Sequence, residues 1–173
     1  MIKWYMITLV GGDKPGIVAK VTTALYQAGC NLGETTMLRL GGNFTIMLMA
    51  SFIGAEETLE RVIEPVAEEL QLRCHVDYIE GKLHDHVEPN VRITIFGSDK
   101  AGIVASVTSS LADAGLNISQ LDSDVAGSEE SPIYIMNIEG VAENGIDSLE
   151  QALESISAEG VEINIEPIDT FIG

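Results

Sequence analysis

The sequence predicts an α+β protein built from two βαββαβ domains, each a four-stranded antiparallel sheet with two helices on one face. Three observations predict it. The stretch Asp13-Lys14-Pro15-Gly16-Ile17-Val18-Ala19 returns 86 residues later as Asp99-Lys100-Ala101-Gly102-Ile103-Val104-Ala105, and 14 of the 25 positions aligned between 8–32 and 94–118 are identical. That period, nearly half of the 173-residue chain, suits two small domains and is too long for a solenoid unit. Hydrophobic periodicity also switches between strand and helix in the same order in both halves.

Each element has a local reason. Residues 3–10 alternate Tyr5, Ile7 and Leu9 with Trp4, Met6 and Thr8, and residues 91–96 alternate Val91, Ile93 and Ile95 with Arg92 and Thr94, so both read as strands. A glycine-bearing loop and a helix follow. Ile17, Val21, Leu25 and Ala28 form one apolar stripe, and Ile103, Val107, Leu111 and Ala114 form its twin. Asp13 and Asp99 stand at the expected N-caps, Pro15 in the first turn, and Gly29 and Gly115 where a left-handed residue closes the helix.

Strands over 35–40 and 44–52 flank Gly41-Gly42-Asn43, a hairpin signal. In the second half the corresponding strands, 121–125 and 133–138, flank a longer loop over 126–132. Leu59, Val62, Ile63, Val66 and Leu70 mark a second helix that Pro65 should kink or shorten, and Ile146, Leu149, Leu153 and Ile156 mark its counterpart. Strands over 74–79 and 161–165 close the two halves. The expected organisation is a domain over 1–80, a polar linker over 81–90 and a domain over 91–173. The sheet face carrying Trp4, Met6, Met47 and Met49 is apolar enough to require a covering layer, from the other domain or from a second chain in a homo-oligomer.

Apolar residues make up 46% of the chain, enough to fill cores. No apolar run reaches the roughly 18 residues of a membrane span, and the first ten residues lack the pattern of a secretory signal. The cytoplasm is the expected compartment, with no membrane partner. The net charge of −18 opposes a phosphate backbone, so direct nucleic-acid binding is disfavoured. The two cysteines, Cys30 and Cys74, read as reduced, packed residues rather than as a disulfide framework.

The loop ending at Gly16 leads into a helix N-terminus, where backbone N–H groups lack helical partners and the dipole favours an anion. A small carboxylate could approach the N–H groups of Gly16, Ile17 and Val18. Asn31, at the other end of the helix, offers an amide that donates and accepts. A zwitterionic amino acid needs that mixture. The mirror set is Asp99, Gly102, Ile103, Val104 and Asn117. The same residues also fit a purely structural role, with Asp13 and Asp99 as caps and the glycines as packing devices.

Other chemistries find less support. The spacing Gly11 to Gly16 matches a P-loop, but Ile17-Val18 replaces the Lys-Ser/Thr pair that nucleotide phosphate and magnesium require. His84 and His86 read as linker residues, so no metal is assigned. No hydroxyl or thiol has a suggested base, and no catalytic residue and no cofactor is assigned.

The pattern G-x-D-K-P-G-I-V-A-x-V-T-x-x-L-x-x-x-G-x-N resembles the ACT domain, the small-molecule regulatory module of amino-acid metabolism. Both copies carry it, which implies the ferredoxin-like βαββαβ fold twice. Two such domains without an attached enzyme resemble the glycine cleavage system transcriptional repressor family. The resemblance implies a non-enzymatic regulator with small amino-acid sites, plausibly for glycine or serine, at domain interfaces. Those sites are formed by the first loop-to-helix turn and the residue after the first helix. It also implies a protein partner, a transcription factor or a metabolic enzyme. Alternatives are a ligand-free interaction module and a separate regulatory subunit of a biosynthetic enzyme. In ACT domains that bind serine the loop often carries Asn, where this chain has Asp13 and Asp99.

Overall fold

A computed structural model of the chain describes residues 1–80, 87–98, 102–128, 131–158 and 160–168. Two compact units, Met1–Leu83 and His84–Gly173, divide the chain. The first unit runs β1 (Lys3–Gly12), α1 (Ile17–Gln27), β2 (Asn31–Leu40), β3 (Asn43–Phe52), α2 (Glu56–Leu70) and β4 (Arg73–Tyr78). The second runs β5 (Val91–Ser98), α3 (Ile103–Asp113), β6 (Leu116–Ser128), β7 (Ser131–Ala142), α4 (Ile146–Ser157) and β8 (Glu162–Pro167).

Each unit is a four-stranded antiparallel sheet, in the orders β2-β3-β1-β4 and β6-β7-β5-β8. The central strands supply the core. Tyr5, Ile7 and Leu9 of β1, with Phe44, Ile46 and Leu48 of β3, bury one sheet face against Ile17, Val21 and Leu25 of α1 and Leu59 and Ile63 of α2. Val91, Ile93 and Ile95 meet Ile103, Val107 and Leu111 of α3 and Leu149 and Leu153 of α4 in the same way. Burying each such aliphatic side chain contributes about 1.5–3 kcal/mol, which is why the period-two and period-3.6 patterns select these faces.

Both first helices close as expected. Gly29 takes φ +81°, and Cys30 N–H donates to Leu25 O (3.0 Å) while Gly29 N–H donates to Tyr26 O (2.9 Å), the two bonds of a Schellman turn. Gly41 and Gly42 both have positive φ and form the two-residue turn between β2 and β3, so Asn43 belongs to β3 rather than to the turn.

Four expectations are corrected. Asp13 is not an N-cap: α1 starts at Ile17, its N-cap is Gly16 at φ +85°, and no side chain caps it. Pro15 accordingly lies before the helix. Asp99 falls outside the described residues. Pro65 neither ends nor shortens α2, which runs 15 residues through it. Pro65 is exposed, and Ile63, Ala67 and Leu70 on the buried side hold the helix to the sheet. The long loop over 126–132 largely vanishes, because β6 and β7 pair as far as Gly127↔Pro132 and Ser128↔Ser131. Pro132 is tolerated because it lies beyond the last β5 rung, Ser98↔Ile133, where no N–H is required on that side. Asn90 belongs to the second unit: its N–H donates to Gly140 O, its carbonyl accepts from Ile168 N–H, and its side-chain oxygen accepts from Ala142 N–H.

The outer sheet faces differ between the units. Trp4, Met6 and Met49 are half-buried and Met47 is exposed on the first. On the second, Arg92 pairs with Glu139 and Thr94 donates to Asn137 Oδ1.

Candidate functional site

The two loop-to-helix turns are near copies. Gly16 has φ 85° and ψ 1°, and Gly102 has φ 87° and ψ −1°. The first bonds within the helices run from Lys20 N–H to Gly16 O (3.0 Å) and from Ser106 N–H to Gly102 O (2.9 Å). The N–H groups of Ile17, Val18 and Ala19, and of Ile103, Val104 and Ala105, therefore precede the helical ladder. Among the described residues, a Cβ built on Gly16 or Gly102 meets nothing within 4 Å. Val18 and Val104 are exposed at the same turns, whereas Ile17 and Ile103 are buried and anchor the helices.

The first turn is braced from both sides. Asp13 N–H donates to Gly42 O (3.1 Å), fixing the loop to the β2–β3 hairpin. Lys14 Nζ donates to Leu70 O (3.2 Å) and to Gln71 Oε1 (2.7 Å), so its charge sits at the C-terminal end of α2, where the dipole favours a cation. The Asp13 carboxylate forms an ion pair with the Arg39 guanidinium. Sequence reasoning missed Arg39. Its signal was available only through register: Arg39 pairs with Phe44, which pairs with Gly11, at the mouth of the loop. In the second unit the same rung is Val125, Tyr134 and Gly97. The cation is present in one copy and replaced by an aliphatic residue in the other.

Asn31 and Asn117 are exposed at the far ends of α1 and α3. An 11-residue helix spans about 16 Å, so Gly16 and Asn31 of one unit do not meet around one small molecule. Asn31 instead borders a pocket of about 180 Å³ with Gly29, Ser51 and Phe52, and its carbonyl accepts from Ser51 Oγ (3.4 Å). The sequence-named residues thus form two separate features per unit, a bare helix start and an amide at the helix end.

The remaining candidates are structurally employed. Thr22 and Thr108 hydroxyls bond to Val18 O and Val104 O within their own helices. Both cysteines are free thiols. Burial raises the Cys30 pKa; burial and the Glu60 carboxylate raise Cys74 to about 11, which suppresses the nucleophilic thiolate. His75 lies 3.0 Å from Asp77 on the exposed outer face, and His84 and His86 fall outside the described residues. Among the described residues no cluster of three or more His, Cys, Asp or Glu could hold a metal, and no helix is long and apolar enough to cross a membrane.

Two ferredoxin-like units, each opening its first helix with an uncapped glycine turn, define a tandem α+β protein. The chain belongs to the ACT domain family, whose model matches residues 4–77 and 91–166. It is similar to the glycine cleavage system transcriptional repressor of Escherichia coli, with 24% identity over 161 residues, 90% of this chain and 85% of the relative. A UPF0237 protein of Methanococcus maripaludis is 35% identical over 83 residues, 47% of this chain and 91% of the relative. A crystal structure of an unknown protein from Galdieria sulphuraria has the same fold, with a TM-score of 0.79 and 22% identity, covering 98% of this chain and all of that one.

Proposed function

We propose that this chain is a non-enzymatic cytoplasmic regulator that binds a small amino acid, glycine or serine, at its glycine turns and thereby changes its contacts with a protein partner. The ligand carboxylate accepts from the N–H groups of Ile17 and Val18 beside Gly16, and in the second copy from those of Ile103 and Val104 beside Gly102. Asn31 and Asn117, exposed at the helix ends, offer a second pair of amides apart from the turns of their own helices. The observation that carries the reading is the repeated left-handed glycine turn, uncrowded at its Cβ position among the described residues, that leads into N–H groups without helical partners.

The Arg39–Asp13 pair sharpens it. A lone carboxylate at the loop would repel the ligand carboxylate, and Arg39 neutralises that charge. The turn at Gly16 is then the stronger site, and the turn at Gly102, with Val125 in place of the cation, the weaker. The E. coli relative extends the reading to an indirect effect on transcription of amino-acid metabolism, since the net charge of −18 disfavours contact with DNA.

Calorimetric titration of the full chain with glycine, serine and the other common amino acids tests this. Saturable heat from a small amino acid is expected, with stabilisation of about 2.7 kcal/mol at a hundredfold excess over Kd. Absence of heat and of any thermal shift with every amino acid would leave a ligand-free interaction module as the better account.

A further inference from the structure

The strongest feature outside the glycine turns is the edge of the first sheet at β4, together with the groove beside it. Ile79 N–H donates to Trp4 O (2.9 Å), which fixes the alternation of the strand. The backbone groups of Cys74, Val76 and Tyr78 therefore point away from β1, at the free edge of the sheet. Alongside runs a groove of about 400 Å³ between β4 and α2, floored by Leu72, Cys74 and Val76. Glu60, Glu64 and Glu68 follow one another up the helix at its rim, where Arg61, whose Nε donates to Glu57 O, is the one cation of the lining among the described residues.

These three carboxylates are unneutralised. Glu69 has Lys20 beside it, whereas none of Glu60, Glu64 and Glu68 has a cation within ion-pair distance among the described residues. Like charges four residues apart on a helix repel one another. Glu60 and Glu68 lie about 12 Å apart along α2, close to the roughly 13.6 Å between residues four apart on a strand.

The second unit repeats the groove in reduced form. It measures about 170 Å³ between α4 and β8, with Glu150 and Glu154 on its rim and Ile163 and Ile165 at its floor. The ladder matches: Ile163 and Ile165 pair with Ile95 and Ile93 as Cys74 and Val76 pair with Leu9 and Ile7. Ile168 N–H donates to Asn90 O, so Pro167 is among the outward-facing residues. Pro167 has no N–H to offer and blunts that edge. The first edge carries Tyr78 on the corresponding rung and pairs with no further strand among the described residues.

We propose that the β4 edge and the α2 groove are a docking site for an extended segment of a partner protein in which aliphatic and basic residues alternate on one face. The segment adds to β4 as a fifth strand. Its aliphatic side chains enter the groove over Leu72 and Val76, and its lysine or arginine side chains neutralise the glutamate row. Unlike the amino-acid reading, this one does not involve the turn at Gly16.

The probe is a capped peptide, Val-Thr-Lys-Thr-Val-Thr-Lys-Thr, titrated into the 15N-labelled full chain, with a second peptide carrying Glu in place of Lys. Binding of the lysine peptide should shift and protect the N–H groups of Cys74, Val76 and Tyr78. The glutamate peptide should leave them unmoved. The variant Glu64→Lys/Glu68→Lys, at exposed positions, should weaken binding at least about tenfold. If it loses the native amide spectrum, Glu64→Gln/Glu68→Gln should weaken binding in the same direction. No shift at about 1 mM peptide, shifts elsewhere than β4, or equal affinity for the neutralised variant would each overturn the proposal.

Discussion

Arg39, on the sheet-edge strand β2, holds the carboxylate of Asp13 in the loop that opens α1, although the two residues are 26 positions apart in sequence. The pair converts a loop that would repel carboxylates into one with compensated charge. Arg39 is largely exposed, so the pair itself is worth only about 0–1 kcal/mol of stability. Replacing Arg39 with Ala should therefore leave urea unfolding nearly unchanged while weakening amino-acid binding by about tenfold. Calorimetry of the variant beside its unfolding curve separates these effects. A large stability loss, or unchanged affinity, would contradict the assignment.

Gly16→Ala and Gly102→Ala test the turns themselves. Neither new methyl group meets an atom within 4 Å, so the cost is backbone strain alone at φ +85° and +87°. Each substitution should destabilise by about 1–2 kcal/mol, measurable as a shifted urea midpoint at constant slope. Each substitution adds a methyl group at the residue before the amides assigned to the ligand, so binding should fall further than stability does.

Gly140→Ala should be far more damaging. Its Cβ would lie 2.4 Å from the Asn117 carbonyl oxygen, a backbone atom that no rotamer change can move. A loss of about 3 kcal/mol or more is expected, against almost none for Gly12→Ala, where space is open and φ is ordinary. Thermal unfolding of the two variants in parallel checks the contrast.

The thiol of Cys74 sets a pH dependence. Its folded pKa, about 11, lies above the ordinary 9.0 because of burial and the Glu60 carboxylate. Below pH 9 both folded and unfolded states keep the proton, and the contribution is constant. Between about pH 9 and 11 the unfolded state releases its proton first, so stability falls as pH rises. Cys74→Val should flatten that part of the curve, and Ellman's reagent at pH 8 should modify Cys74 slowly in the folded chain.

Much of the fold was legible because a duplicated pattern constrains itself. Ile7 with Ile93, and Val21 with Val107, had to share faces in both copies, and both pairs are fully buried. What sequence reasoning misplaced was local. Asp13 sits in a typical capping context, yet the helix starts only after the left-handed Gly16, so no side chain caps it. Pro65 signals a break, but packing through Ala67 and Leu70 outweighs one missing helical bond. The candidate site is legible only in part. Glycine at a helix start can be read from spacing, whereas Arg39 reaches Asp13 only through the rungs Arg39↔Phe44 and Phe44↔Gly11, which link three separate strands.

The central claim is that an amino acid's carboxylate lies on the bare amides opening α1. Its most direct test is the amide spectrum of the 15N-labelled chain during titration with glycine and with serine. The account predicts saturable shifts of Ile17 and Val18, with weaker or later shifts of Ile103 and Val104. Unmoved resonances at all four positions through the full titration would contradict it.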